Sequence, residues 1–219
     1  LALYAAVRAE APDIRAHVLA DVAARHNYLG YHEDCLEIVR FTEGDERVTP
    51  AVRMILHGVK ARAYAAINEP ALCSRHIDLA EQAFTTTHDA PGWVGTLRHP
   101  AHLYAATGHA IAALAHHGAG DDAAEAQKRL GQAVDGFDPA GHARALALCM
   151  TRLARLPLAA GSLDEGVHWA HQALTSAASV SSARLYRDLA TIRAVADDTD
   201  APLTREIVTA IDTLTGTDE

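Results

Sequence analysis

The chain has 219 residues, of which 49% are apolar and only 5% aromatic, and its formal net charge is -9. That acidic balance argues against direct nucleic-acid binding by this segment, because phosphate contacts need a basic face. No run of about 18 apolar residues is present to cross a bilayer, and no secretory h-region opens the chain.

Alanine dominates the apolar fraction, which favours close helix packing over a β-sandwich. The first residue, Leu1, begins in mid-pattern, which predicts a piece of a longer polypeptide with an upstream domain. Pro12 to Leu29 reads as a helix with Ile14, Val18, Leu19 and Val22 on its apolar side. Gly30 turns the chain, and Tyr31 to Thr42 forms the partner helix through Cys35, Ile38 and Val39. The acidic stretch Glu43 to Arg47 is a loop. Thr49 is placed to cap the next helix, with Pro50 at its first position, where the missing N–H costs nothing. That helix runs to about Ile67, Asn68 to Pro70 make a turn, and Ala71 to Phe84 follows with Leu72, Ile77, Leu79 and Ala80.

Thr85 to Pro100 holds two prolines, two glycines and Trp93. It reads as a long loop, and long loops in compact domains are often functional or mobile. A plainer role for Trp93 is to plug a gap between repeats. Ala101 to His117 is helical, Gly118 to Asp122 is a turn, and Ala123 to Phe137 is the partner helix. Asp121 and Asp122 favour the positive end of that partner.

The most regular stretch is Ala143 to Ser179. Its first helix carries Leu146, Met150, Leu153 and Leu156 at spacings of three and four. Gly161 supplies the left-handed conformation a helix C-terminus needs. Ser162 with Glu165 has the spacing of a capping box. The second helix carries Gly166, Ala170, Ala173 and Ala177 on one side, small enough to let two axes come close. Ser182 to Asp197 and Thr204 to Leu214 close the chain as capping helices. Neither member of such a pair hides its apolar face alone, so pairs must stack.

On Leu153, Ala154, Gly161, Ala170 and Ala173 the sequence resembles a degenerate tetratricopeptide repeat. Gly166 stands where that family usually has alanine, and the family's bulky aromatics are missing. The turn residues Gly30 and Asn68 are spaced close to its period of roughly 34 residues. The resemblance implies an all-α, right-handed solenoid of about four helix pairs (12–42, 49–84, 101–137 and 143–179) plus capping helices, as one domain over 1–219. A narrower likeness rests on Arg144 to Arg155, Gly161 to Glu165, Ala170 to Leu174 and Ser181 to Arg184. These resemble the C-terminal tetratricopeptide region of actinobacterial helix-turn-helix transcriptional regulators. The chain itself contains no helix-turn-helix.

That resemblance implies a non-catalytic, cytoplasmic sensing or oligomerisation domain, with a homodimer as one open arrangement. A free-standing interaction scaffold is the second reading. A helical enzyme using histidines of 99–117 is the third. In such stacks the first helices line a concave groove that holds a protein, a peptide or a small anionic ligand. Aligning the pairs on Gly30, Asn68 and Gly161 places Ala24, Arg62 and Arg155 at equivalent inward sites. Asn27, Tyr28, Thr151 and Arg152 lie nearby, and His109 and His116 fall on the corresponding helix of the irregular pair. Arg62 and Arg155 are expected to face one groove, where guanidinium forks suit carboxylate or phosphate.

Other chemistry is sparse. Cys35, Cys73 and Cys149 make no CxxC, so buried filler in a reducing compartment is expected. Fourteen histidines include His99, His102 and His109, the adjacent His116 and His117, and the i, i+3 pair His168 and His171. An i, i+3 pair can grip a metal, but HExxH is absent and no cysteine joins these groups. No metal site and no cofactor are therefore expected. GxSxG, GxxxxGK[ST] and GxGxxG are absent as well.

Overall fold

The computed structural model describes residues 1–86, 92, 97–118, 120–180, 182–199 and 201–216, with the side chains of 120 and 121 excepted. Among the described residues every regular element is a helix. Trp93, and with it the expected plug, lies outside them, as does the side chain of Asp121. The helices are α1 (Ala2–Arg8), α2 (Pro12–Tyr28), α3 (His32–Glu43), α4 (Pro50–Ala66), α5 (Pro70–Thr85), α6 (Pro100–Ala115), α7 (Gly120–Gly136), α8 (Pro139–Ala159), α9 (Leu163–Ala177), α10 (Ala183–Thr199) and α11 (Pro202–Thr215). None is long and apolar enough to cross a membrane. The short α1 was not expected from the sequence.

The chain divides into two compact units, Leu1–Ala126 and Gln127–Glu219. In the first, α2 packs on α3 and α4, α4 packs on α5 and α6, and α3 also touches α4. The helices that open successive pairs thus lie against each other. In the second unit α8 packs on α9 and α10, while α11 covers α9 and α10. Here too a helix pair is laid on a helix pair.

Three turns repeat one backbone device. Gly30, Asn68 and Gly161 have φ of 93°, 56° and 83°. At each, the residue that follows donates its N–H back to a carbonyl of the last helical turn: Tyr31 to His26 at 2.9 Å, Glu69 to Tyr64 at 2.9 Å and Ser162 to Pro157 at 2.9 Å. The left-handed residue itself donates to Asn27, Ala65 or Leu158. These are Schellman closures, which satisfy carbonyls that a helix end leaves open.

The closures displace the expected cap at Ser162. Tyr31, Glu69 and Ser162 each end one closure and begin the next helix, and none makes a side-chain cap bond. Ser162 is held at φ -84°, ψ 75° by its backbone bond, so the capping box with Glu165 does not form. Thr49 also makes no side-chain cap. Its N–H donates instead to Asp13 Oδ1 at 2.7 Å, tying the start of α4 to α2.

The core of α2 differs from the expected one. Ala16, Ala20 and Ala23 are buried, whereas Ile14 is exposed and Val18, Leu19 and Val22 are half-buried. Small side chains let α3 and α4 approach the backbone of α2, and the larger ones flank that contact. In α8 the expected face is buried in full, through Leu146, Met150, Leu153 and Leu156. Its backbone breaks at His142 (φ -129°, ψ 22°), so the regular run starts at Ala143. Before the break, Asp138 accepts N–H bonds from Ala140 and Gly141. Leu185, Leu189 and Ile192 of α10 are likewise fully buried.

Candidate functional site

The residues expected to line a groove fall in both units: Asn27, Tyr28, Arg62, His109 and His116 in the first, and Thr151, Arg152 and Arg155 in the second. In the first unit, Asn27 Oδ1 lies 2.6 Å from His32 Nδ1, across the Gly30 turn. Tyr28 is half-buried at the end of α2. Arg62, half-buried on α4, donates through Nε to the Gly58 carbonyl at 3.3 Å. Its charge also reaches the buried Cys35 thiol. His109 is buried within α6, and His116 is exposed at the C-cap of that helix.

In the second unit the side chains of α8 meet α10. Thr151 is buried and gives its hydroxyl proton to the Leu148 carbonyl of its own helix. Arg152 donates to Asp188 Oδ2 on α10 at 2.8 Å, with 22% and 14% of the two side chains exposed. One helical turn on, Arg155 is half-buried, and its Nε is shut from solvent without a hydrogen-bond acceptor. Burial first, and then the charge of Arg152, push the Arg155 pKa down; Asp188 pulls the other way. Two guanidiniums therefore share the field of one carboxylate that is already hydrogen-bonded to one of them. A planar guanidinium suits a carboxylate or phosphate oxygen, which it can meet with forked N–H groups.

A second polar cluster, absent from the sequence-based expectations, sits inside the first unit. The end of α3 supplies Glu43, α4 supplies His57 and Lys60, and α5 supplies His76. Lys60 Nζ donates to Glu43 Oε2. His57 Nδ1 is 3.2 Å from Glu43 Oε1, in ion-pair range. That oxygen is buried and accepts no well-aligned hydrogen bond. His76 Nδ1 is 3.3 Å from His57 Nδ1, and the His76 ring stacks on Tyr64 at 5.4 Å between centroids, 15° from parallel.

Electrostatics sort these groups by charge. Burial alone would raise the Glu43 pKa, but His57 and Lys60 beside it outweigh that and hold it at about 2. Burial, with Lys60 and His57 adding to it, brings His76 down to about 4, so its imidazole is neutral near pH 7. Among the described residues, Glu43, His57 and His76 are the group of three or more potential metal ligands whose donor atoms converge, all within 4.8 Å of one another. His99, His102, His109, His116, His117, His168 and His171 do not form one. The signal in the sequence was a stripe of His57, Lys60 and Tyr64 at spacings of three and four along α4.

No family model, no curated protein and no solved structure matches this chain.

Proposed function

We propose that the chain is a non-catalytic, tetratricopeptide-like binding domain whose second unit takes an anionic partner, a carboxylate or phosphate group, on Arg152 and Arg155 of α8. In this reading it serves as the sensing or oligomerisation part of a bacterial transcriptional regulator. The observation that carries the binding role is Arg155, a half-buried guanidinium whose shielded Nε has no acceptor and which lies beside a second guanidinium. Its position in a chain of net charge -9 makes the local excess of positive charge more telling. The repeat reading is supported by the three equivalent Schellman turns and by pairs laid on pairs. The regulatory role rests on the likeness of the 143–184 run to such regulators.

Calorimetric titration with inorganic phosphate and with a glutamate-rich peptide tests this. Arg155→Ala should lower the affinity for the better of the two probes by tenfold or more. Asp188→Asn, which removes the competing carboxylate, should raise it. No binding of either probe, or undiminished affinity in Arg155→Ala, overturns the proposal.

A further inference from the structure

We propose that Glu43, His57 and His76 form a three-ligand site for a borderline divalent transition-metal ion, zinc above all, in the gap between the end of α3 and helices α4 and α5. The argument starts from distances. His57 Nδ1 lies 3.2 Å from Glu43 Oε1 and 3.3 Å from His76 Nδ1. Two ligand atoms of a tetrahedral zinc with bonds of about 2.0–2.1 Å are separated by roughly 3.3 Å. Both short edges of the triangle thus match a tetrahedral edge, and the third pair lies within 4.8 Å.

Lone-pair accounting points the same way. Three acceptor-capable atoms converge on one point, and the His57 Nδ1 proton can serve only one neighbour at a time. Glu43 Oε1 is buried, with His57 Nδ1 3.2 Å away but not well aligned as a hydrogen-bond donor to it. A cation at the centroid takes a lone pair from each of the three atoms and leaves none unserved. The ring of His76 is already fixed by Tyr64 on one side and by the tilted His57 ring 5.3 Å away. Ligands held in place before the ion arrives lose little freedom on binding.

The donor set selects the ion. Two imidazoles and one carboxylate suit zinc and its first-row neighbours. Calcium and magnesium require shells of oxygen that this gap does not offer. Three protein ligands leave a fourth position for water. Residual exposure of 16% for the His57 side chain and 19% for Glu43 provides a way in. Lys60, bonded to the other Glu43 oxygen, opposes the ion by charge. Its removal should therefore tighten binding, an effect that a merely structural hydrogen-bond cluster would not produce. Since the ligands come from three successive helices, bound metal would join α3, α4 and α5.

The test uses the full 219-residue chain, stripped with a chelator and titrated with zinc by calorimetry, and separately with cobalt(II) read by visible absorption. The expected result is one high-affinity ion per chain, with a cobalt spectrum of four-coordinate intensity. His76→Gln and His57→Gln should each lose tenfold or more in zinc affinity, whereas replacing the exposed pair His168 and His171 by Gln should leave that site unchanged. Should His76→Gln lose helical signal, Glu43→Gln and Lys60→Gln decide the matter, the first binding more weakly than wild type and the second more tightly. The proposal is overturned by a weak, pale octahedral cobalt spectrum in the wild type. It is equally overturned by zinc affinity that follows His168 and His171, or that does not respond to changes at Glu43 and Lys60.

Discussion

Gly166 of α9 lies so close to Leu158 of α8 that a methyl group on it would sit 2.4 Å from Leu158 Cγ and 3.0 Å from the Leu158 backbone nitrogen. The partner contact is backbone as well as side chain, so the neighbour cannot simply rotate away. A side chain at this position would have to displace α8, and glycine avoids that. It also sets the distance at which the α8–α9 pair packs.

Two effects compete when Gly166 is replaced by alanine. In an unhindered helix interior the change would stabilise by about 0.5–1 kcal/mol. Overpacking a tight contact costs about 1–3 kcal/mol, and with a backbone atom in the way it wins. Gly166→Ala should therefore lower stability in urea unfolding, and Leu158→Ala in the same chain should restore less than it costs on its own. Gly58 offers a cleaner version, because a methyl there would lie 2.8 Å from the Ala106 Cβ of α6. The pair Gly58→Ala with Ala106→Gly should recover most of the loss from Gly58→Ala alone; strictly additive losses would argue against the contact.

The left-handed turns predict opposite signs at equivalent places. Placing an L side chain in that conformation costs about 1–2 kcal/mol. Gly30→Ala and Gly161→Ala, at φ 93° and 83°, should each destabilise by about that much, although no atom beyond the adjoining residues lies within 4 Å of the new methyl. Asn68→Gly, at φ 56°, should be neutral or mildly stabilising. Thermal unfolding of the three variants checks this, and an unchanged midpoint in both alanine variants would contradict it.

The three thiols are buried, and burial raises their pKa values from the ordinary 9.0 to about 11 for Cys35 and about 12 for Cys73 and Cys149. Arg62 tempers the rise at Cys35, and Asp122 adds to it at Cys73. The folded state keeps these protons while the unfolded chain loses them above pH 9. Since the native state then binds more protons, stability falls as pH rises from about 9 towards 11–12. Cys149→Ala should flatten that fall. Iodoacetamide at pH 8 should leave the native protein unmodified and alkylate all three thiols in denaturant.

What the sequence determined by itself is local. Gly30, Asn68 and Gly161 announce left-handed turns because a backbone conformation depends on few neighbours. The ladder Leu146, Met150, Leu153 and Leu156 announces one buried face because helical period alone sets which side chains align. Tertiary structure decided the rest. Ile14 and Val22 were the obvious core of α2, yet Ala16, Ala20 and Ala23 took it, because how closely two helix axes approach depends on both partners. Ser162 has the side chain of a cap, but its backbone was claimed by the closure onto Pro157. Glu43, His57 and His76 carry no shared spacing at all. They meet because α3, α4 and α5 pack together, and a donor set drawn from three helices exists only once those helices have found each other.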